Sequence, residues 1–275
     1  MILPLRPLGR TWRHATILGL GGEGVLRTHG LNAKAQAVIR AALDEGIAYF
    51  ESARAYAGSE AYLGKGLKGR RHKVFLTSKS HGRTRAEAEA HLAVTLNNLQ
   101  TDYLDLWQVH DLRTFEEVAA IGAPGGALEA FRLAKEQGQA RFIGVTGHHD
   151  PEVLRRALQL YEFDTVLLPV NPAEPSHRSF LSLAEEMRER GLGVIGMKVL
   201  CRGLLPGLQT ASVKDLVAYA LSQAVSLVVA GADTVAQVRE LAAAARTFQP
   251  MPLEDQRFLE EMVAPYARGL MYYKP

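Results

Sequence analysis

Short apolar runs rich in β-branched residues punctuate the chain: Ile17–Leu20, Ile47–Phe50, Val74–Thr77, Tyr103–Val109, Phe142–Thr146, Thr165–Val170, Val194–Val199 and Leu227–Ala230. Runs this short and this continuously apolar predict strands covered on both faces. Between them the period changes to that of an amphipathic helix, over about 33–45, 59–68, 85–99, 126–137, 151–160, 178–190, 212–223 and 234–246. The helix ends are marked. Thr84-Arg85-Ala86-Glu87 spells a capping box, with Leu92, Leu96 and Leu99 on one face behind it. Asp150-Pro151 reads as an N-cap followed by proline in the first helical position, and Gly46, Gly138 and Gly191 stand where helices should stop. Eight strand signals alternating with eight helix signals require parallel pairing with helical crossovers, and a (β/α)8 TIM barrel fits that count. An open doubly wound sheet would show a full G-x-G-x-x-G turn after its first strand; Gly19-Leu20-Gly21-Gly22-Glu23-Gly24 matches only in part. Residues 1–15 are expected to form a short hairpin closing the barrel bottom, and 253–275 a last helix and tail. No linker or shift in composition divides 1–275, which is taken as one domain.

Composition narrows the function classes. The 275 residues carry 32 Lys and Arg against 29 Asp and Glu, a net charge of +3. That is too small a charge to imply a nucleic-acid or polybasic membrane partner, although a pI of about 9.0 permits weak attraction of anions. The one cysteine, Cys201, excludes an intrachain disulfide and any site built from several thiolates. Neither a signal-peptide core nor a membrane-spanning run is seen, so a cytoplasmic protein is expected.

In a TIM barrel the C-terminal ends of the strands converge on one mouth. Those ends read Glu51, Lys79, His110, Thr146, Asn171 and Lys198, with Tyr56 in the loop after Glu51. A Tyr hydroxyl can donate a proton at neutral pH, and a Lys ammonium beside it would make it a better acid. A carboxylate would hold that Lys, and a His would orient a carbonyl oxygen. Such a set protonates an oxygen gaining negative charge. There is no Ser-His-Asp nucleophile, and no H-x-H or H-E-x-x-H spacing. The adjacent His148-His149 is a poor chelate by itself, and no metal is expected. Hydride addition to a carbonyl, with the hydride drawn from a cofactor, is the chemistry these groups suit.

The same residues carry a family resemblance. Gly46 to Glu60, GIAYFESARAYAGSE, resembles the aldo/keto reductase signature GxxxFDTAxxYGxSE, and Leu63-Gly64 and Phe75-Leu76-Thr77-Ser78-Lys79 continue it. Leu104 to His110 resembles LDLxxxH, and Gly144-Val145-Thr146, Asn171-Pro172, Gly193-Val194-Ile195 and Arg202-Gly203-Leu204-Leu205 resemble later segments in the same order. The resemblance implies an NAD(P)H-dependent carbonyl reductase acting on a small-molecule carbonyl. Its tetrad falls on Glu51, Tyr56, Lys79 and His110: Tyr56 as general acid with Lys79 lowering its pKa, Glu51 pairing with Lys79, His110 orienting the carbonyl. It implies cofactor contacts from Thr146, Asn171, Met197, Lys198, Arg202, Gly231, Thr234, Gln237 and Arg239, with NADPH preferred through Arg239 and the helix start at Thr234, and NADH as the other choice.

The chain departs from the family in several places. Glu51 replaces the family Asp. Thr146, Gly147 and Leu167 stand where Ser, Asn and Gln commonly hold the nicotinamide amide. Met197 stands near a stacking aromatic position, and Leu241 replaces the Asn that ends GAxxxxQVxEN. These departures leave one alternative open, a cofactor-binding regulator or sensor on the same barrel, of the kind the potassium-channel β subunits represent; a further alternative is a barrel isomerase or aldolase using Lys79 as a Schiff base. Substrate choice is expected to rest on 22–31, 111–126 and the tail 262–275, with 111–126 a mobile apolar wall. Oligomeric state is left open, with a monomer favoured.

Overall fold

A computed structural model describes residues 2–275. A two-stranded antiparallel hairpin, β1 (Leu5–Pro7) and β2 (His14–Thr16), precedes eight parallel strands: β3 (Leu18–Gly24), β4 (Tyr49–Glu51), β5 (Phe75–Ser80), β6 (Leu104–Val109), β7 (Ala140–Thr146), β8 (Thr165–Pro169), β9 (Gly193–Met197) and β10 (Leu227–Ala232). They pair in sequence order and close through β10 against β3, so the sheet has no free edge. This is the expected (β/α)8 barrel. The helical periods become α1 (Asn32–Asp44), α2 (Ser59–Gly66), α3 (Arg85–Leu99), α4 (Phe115–Gly122), α5 (Ala127–Glu136), α6 (Pro151–Leu160), α7 (Leu181–Glu189), α8 (Leu204–Gly207), α9 (Val213–Ser222), α10 (Val235–Arg246), α11 (Leu253–Val263) and α12 (Ala267–Leu270). No helix among the described residues is long and apolar enough to cross a membrane.

The local signals act as read. Thr84 accepts from the Glu87 N–H and the Glu87 carboxylate returns to the Thr84 N–H, so α3 starts where its capping box stands. Asp150 caps α6 with Pro151 in the first turn. Gly46 has φ +81° and Gly191 φ +79°, the left-handed stop that glycine adopts without steric cost.

The interior at the N-terminal end is filled by Tyr49, Leu106, Leu167, Ile195 and Leu227, with Phe75 and Phe142 packed against them. Tyr49, Phe75 and Phe142 form a stacked row, with centroids 5.3 and 6.3 Å apart. The hairpin delivers Leu8 into this layer fully buried, and the Arg10 N–H donates to the Gly191 carbonyl at 2.7 Å. Burying each such side chain is worth about 1.5–3 kcal/mol, so the closed end supplies stability and leaves the opposite end free for chemistry.

Residues 111–126 are not a mobile apolar wall. Thr114 caps α4 by accepting from the Glu117 N–H, Val118 and Ile121 are buried, and Gly126 bridges to Thr84. The T-x-x-E signal at Thr114 was there to be read. The expected helix at 178–190 starts later, at Leu181, because Arg178 takes φ +43° and ends the preceding turn outside helical geometry.

Candidate active site

Glu51 is the last residue of β4, Lys79 lies near the end of β5, and His110 follows β6, so three neighbouring strands aim these groups at the C-terminal mouth. Lys79 is 1% exposed and Glu51 4%. The Lys79 ammonium contacts Glu51 Oε1 directly and donates to the Ser52 carbonyl at 2.9 Å. Glu51 Oε2 accepts from the Gly22 N–H at 3.3 Å. The pair thus sits beneath the mouth, and burial pushes the Lys79 ammonium well below its ordinary value.

Tyr56 lies across this pair. Lys79 Nζ is 4.7 Å from the centroid of the Tyr56 ring, and the His110 ring meets Tyr56 edge-on at 5.8 Å. The four residues of the expected tetrad are therefore brought together. Lys79 stands over the ring face, and no hydrogen bond joins it to the Tyr56 hydroxyl. Burial raises the Tyr56 phenol above its ordinary value and the Glu23 charge adds to this, so Tyr56 keeps its proton throughout the physiological range. Burial and the nearby Lys79 charge hold His110 well below its ordinary value, as neutral imidazole. The loop carrying His110 is anchored: Arg83 donates to the His110 and Asp111 carbonyls at 3.0 and 2.8 Å.

Beside Tyr56 lies a charged cluster in which Lys198 and Arg202 were expected from the sequence and Glu23 and Arg27 were not. Glu23 is held by Arg27 at 3.0 Å, Arg202 at 3.2 Å and Lys198 at 3.4 Å, and Arg27 also covers the Tyr56 ring at 5.0 Å. Burial by itself would raise the Glu23 carboxyl; the three cations outweigh it and hold it below the ordinary range. The signal was the position of Glu23 in a strand that runs on to Gly24, past its apolar run. Lys198, Cys201 and Arg202 all take left-handed φ of 61°, 44° and 57°, a conformation costing of order 1–3 kcal/mol at non-glycine residues that functional loops tolerate.

The remaining expected cofactor residues divide. Lys198, Arg202 and Met197 flank the mouth, Met197 half-buried against the barrel interior. Thr146 faces inward, but its hydroxyl accepts from the Asp111 N–H at 2.8 Å and so fixes the His110 loop. Asn171 has both amide ends engaged: it donates to the Tyr273 hydroxyl at 2.9 Å and the Lys198 carbonyl at 3.3 Å, and accepts from the Ala173 N–H at 3.0 Å. Gly231 lies against the Glu23 backbone, which a Cβ would meet at 2.8 Å. Thr234 and Gln237 form a complete capping box, with Gln237 Oε1 accepting from the Asp233 and Thr234 N–H groups. Arg239 is 69% exposed and turned to Glu45 at 3.8 Å, beside Arg246 at the C-terminal end of α1, away from the mouth groups.

Comparisons with known proteins agree on one family. Residues 18–215 match the profile of the aldo/keto reductase family. L-galactose dehydrogenase of Arabidopsis thaliana is 27% identical over an alignment of 316 positions, covering 95% of this chain and 94% of its own. The Bacillus subtilis aldo-keto reductase YhdN is 30% identical over 196 positions, covering 62% and 54%. Among solved structures, aldo-keto reductase AKR11C1 from Bacillus halodurans in its holo form superposes with a TM-score of 0.80 at 23% identity, covering 94% and 96% of the two chains. An aldo-keto reductase from Klebsiella pneumoniae in complex with NADPH gives 0.79 at 22%, covering 96% of each.

Proposed function

We propose that this chain, which belongs to the aldo/keto reductase family, reduces aldehyde or ketone carbonyls to alcohols with Tyr56 as the proton donor and NADPH as the reductant. The observation that carries the reading is the buried Glu51–Lys79 pair lying directly under Tyr56, with His110 at its edge. NADPH, when bound, supplies the hydride. Its diphosphate suits the Arg27, Lys198 and Arg202 cations, which present a compact positive rim around one carboxylate. The helix start at Thr234 adds the remaining first-turn N–H groups.

The protein's own groups do the rest. His110, neutral through burial, donates one ring N–H to the carbonyl oxygen and aims it at Tyr56. Tyr56 delivers its proton as charge builds on that oxygen. Lys79 lies over the ring face and stabilises the phenolate electrostatically, while Glu51 and the Ser52 carbonyl fix it in place. The mouth walls exclude water from the Lys79 end of the site, which is almost wholly buried.

NADPH consumption with a panel of aldehydes and ketones tests the reading. Tyr56→Phe should lower kcat/KM by about 10²–10⁴ while the cofactor Kd stays unchanged. Retention of more than about a tenth of kcat/KM would move the acid elsewhere. Tight NADPH binding without turnover on any carbonyl would instead favour a sensor, for which the engagement of Thr146 and Asn171 by the protein's own groups is the supporting observation.

A further inference from the structure

Next to the mouth, but outside the proposed catalytic set, the loops after β6 and β7 bring together Asp111, His148 and His149. One ligand atom from each lies within 4.8 Å of the other two. His148 Nε2 is 3.1 Å from Asp111 Oδ1, and His149 Nδ1 is 3.6 Å from the same oxygen. Both Asp111 Oδ1 and His149 Nδ1 are buried atoms without a hydrogen-bond partner. The other carboxylate oxygen, Oδ2, accepts from Arg113 at 2.8 Å.

Donor counting makes this arrangement unstable as it stands. His148 Nδ1 lies 3.2 Å from the Tyr273 carbonyl, which only accepts, so that nitrogen carries the proton. A neutral ring then presents the Nε2 lone pair to a carboxylate oxygen at 3.1 Å, which is repulsive. A second proton would not cure it well, since an Nε2–H is not aligned for a hydrogen bond to Oδ1, which is left without a partner. A cation between the two does. With metal–nitrogen and metal–oxygen bonds of about 2.0–2.2 Å, adjacent ligand atoms lie about 3.0 Å apart in an octahedral shell and about 3.4 Å apart in a tetrahedral one. The observed 3.1 Å lies between those spans, 3.6 Å is slightly wider than the tetrahedral one, and all three atoms lie within 4.8 Å, so an ion would draw the His149 ring inward. The off-line Nε2 direction follows too, because a lone pair aimed at a bridging ion points well away from the partner oxygen. An Nδ1–H donated to a backbone carbonyl is the usual outer support of a metal-bound imidazole.

We propose that Asp111, His148 and His149 form a site for a divalent transition ion of the zinc class, with two imidazole nitrogens, one carboxylate oxygen and the remaining positions left to water. The ion ties the loop after His110 to the loop after β7. Through the Tyr273 carbonyl it also ties both to the C-terminal tail. Sequence reading treats His148-His149 as an unsuitable chelate because adjacency alone is poor; the third ligand lies 37 residues away and reaches the pair only once the barrel closes.

The test is titration of the tag-free, chelator-stripped full chain with Zn²⁺ by calorimetry, and with Co²⁺ by visible absorption. One saturable site with micromolar or tighter Kd is expected, together with a Co²⁺ ligand-field band and a raised melting temperature. His149→Ala, at a half-buried surface position, should weaken binding by more than the roughly 10–100-fold of an outer-shell change. Asp111→Asn should do the same, and His149→Ala stands alone should Asp111→Asn fail to fold. Absence of saturable binding at 100-micromolar metal overturns the proposal. So does binding unaffected by His149→Ala. Nitrogen-15 spectra of the metal-free protein at neutral pH showing His148 protonated at both nitrogens would also overturn it, since an imidazolium clamp would then explain the geometry.

Discussion

Lys79→Met removes the partner of a carboxylate that has almost no other support. Glu51 is 4% exposed, and its remaining contact is the Gly22 N–H at 3.3 Å. A lone buried charge of this kind typically costs about 3–5 kcal/mol, but Glu51 has a cheaper course, which is to take up a proton. At about 1.36 kcal/mol per pH unit above the reference value of about 4.3, a neutral Glu51 costs about 3.7 kcal/mol at pH 7 and about 1 kcal/mol at pH 5. The carboxyl in the variant has a folded-state value raised above the unfolded one. Stability is therefore intact below about pH 4 and is lost as pH rises, until the folded-state value is passed. The variant should unfold at pH 7 with about 3.7 kcal/mol less stability than the parent. For a chain of this length that is a fall in Tm of about 7–15 °C. At pH 5 most of the difference should be gone. Urea unfolding of both proteins at the two pH values measures it. A deficit independent of pH, or no deficit at pH 7, would refute the reasoning, because either result requires Glu51 to be solvated or to hold a partner other than Lys79.

The depressed value of His110, caused first by burial and then by Lys79, places its titration well below pH 6.5. Stability carried by the neutral ring is therefore complete above about pH 6.5 and is lost progressively as pH falls from there towards the lower folded-state value, whereas kcat/KM should show no limb near 6.5; a fall in rate centred there would contradict the burial argument. Glu23→Gln should tighten NADPH binding by about tenfold, or about 1.4 kcal/mol, because it frees Arg27, Lys198 and Arg202 for the diphosphate; the gain should shrink with added salt, and weaker binding would show that Glu23 itself holds the cofactor. Arg239→Ala should leave the ratio of NADPH to NADH affinity unchanged, since its guanidinium faces Glu45; a loss of NADPH preference would restore the sequence-based assignment.

The barrel was legible because each strand is a buried run and most helices carry a start or stop signal. Thr84, Asp150 and Gly46 act through neighbours within four residues, so their effect survives in one dimension. The Glu51, Lys79 and His110 positions were legible for a related reason: a parallel barrel converts the end of a strand into a place at the mouth. What could not be read were contacts between ends of different loops. Glu23 meets Lys198 and Arg202 across 175 and 179 residues, and Asn171 meets Tyr273 across 102. No local period encodes such pairs. How Lys79 approaches Tyr56 was out of reach for a finer reason, since residue order gives proximity but not whether an ammonium reaches a hydroxyl or a ring face.

The C-terminal tail shows how such long-range contacts limit the site. Tyr273 donates its hydroxyl proton to Glu174 at 2.7 Å, and Lys274 reaches the same carboxylate at 2.7 Å and the His177 and Arg178 carbonyls at 2.7 and 3.0 Å. The Lys274 and Glu174 side chains are 1% and 0% exposed. Lifting the tail would separate Glu174 from Lys274 and Tyr273, and Asn171 from the Tyr273 hydroxyl, in one step. The Asn171 amide is thus committed to the tail and to the Lys198 carbonyl, and it is free for a cofactor only where those bonds are given up. On the proposed function, Lys198 and Arg202, which lie against Tyr272 at 5.7 and 4.7 Å, would meet a diphosphate on the β3 side, where Glu23 stands. That makes Glu23, and not the tail, the group an incoming anion has to displace.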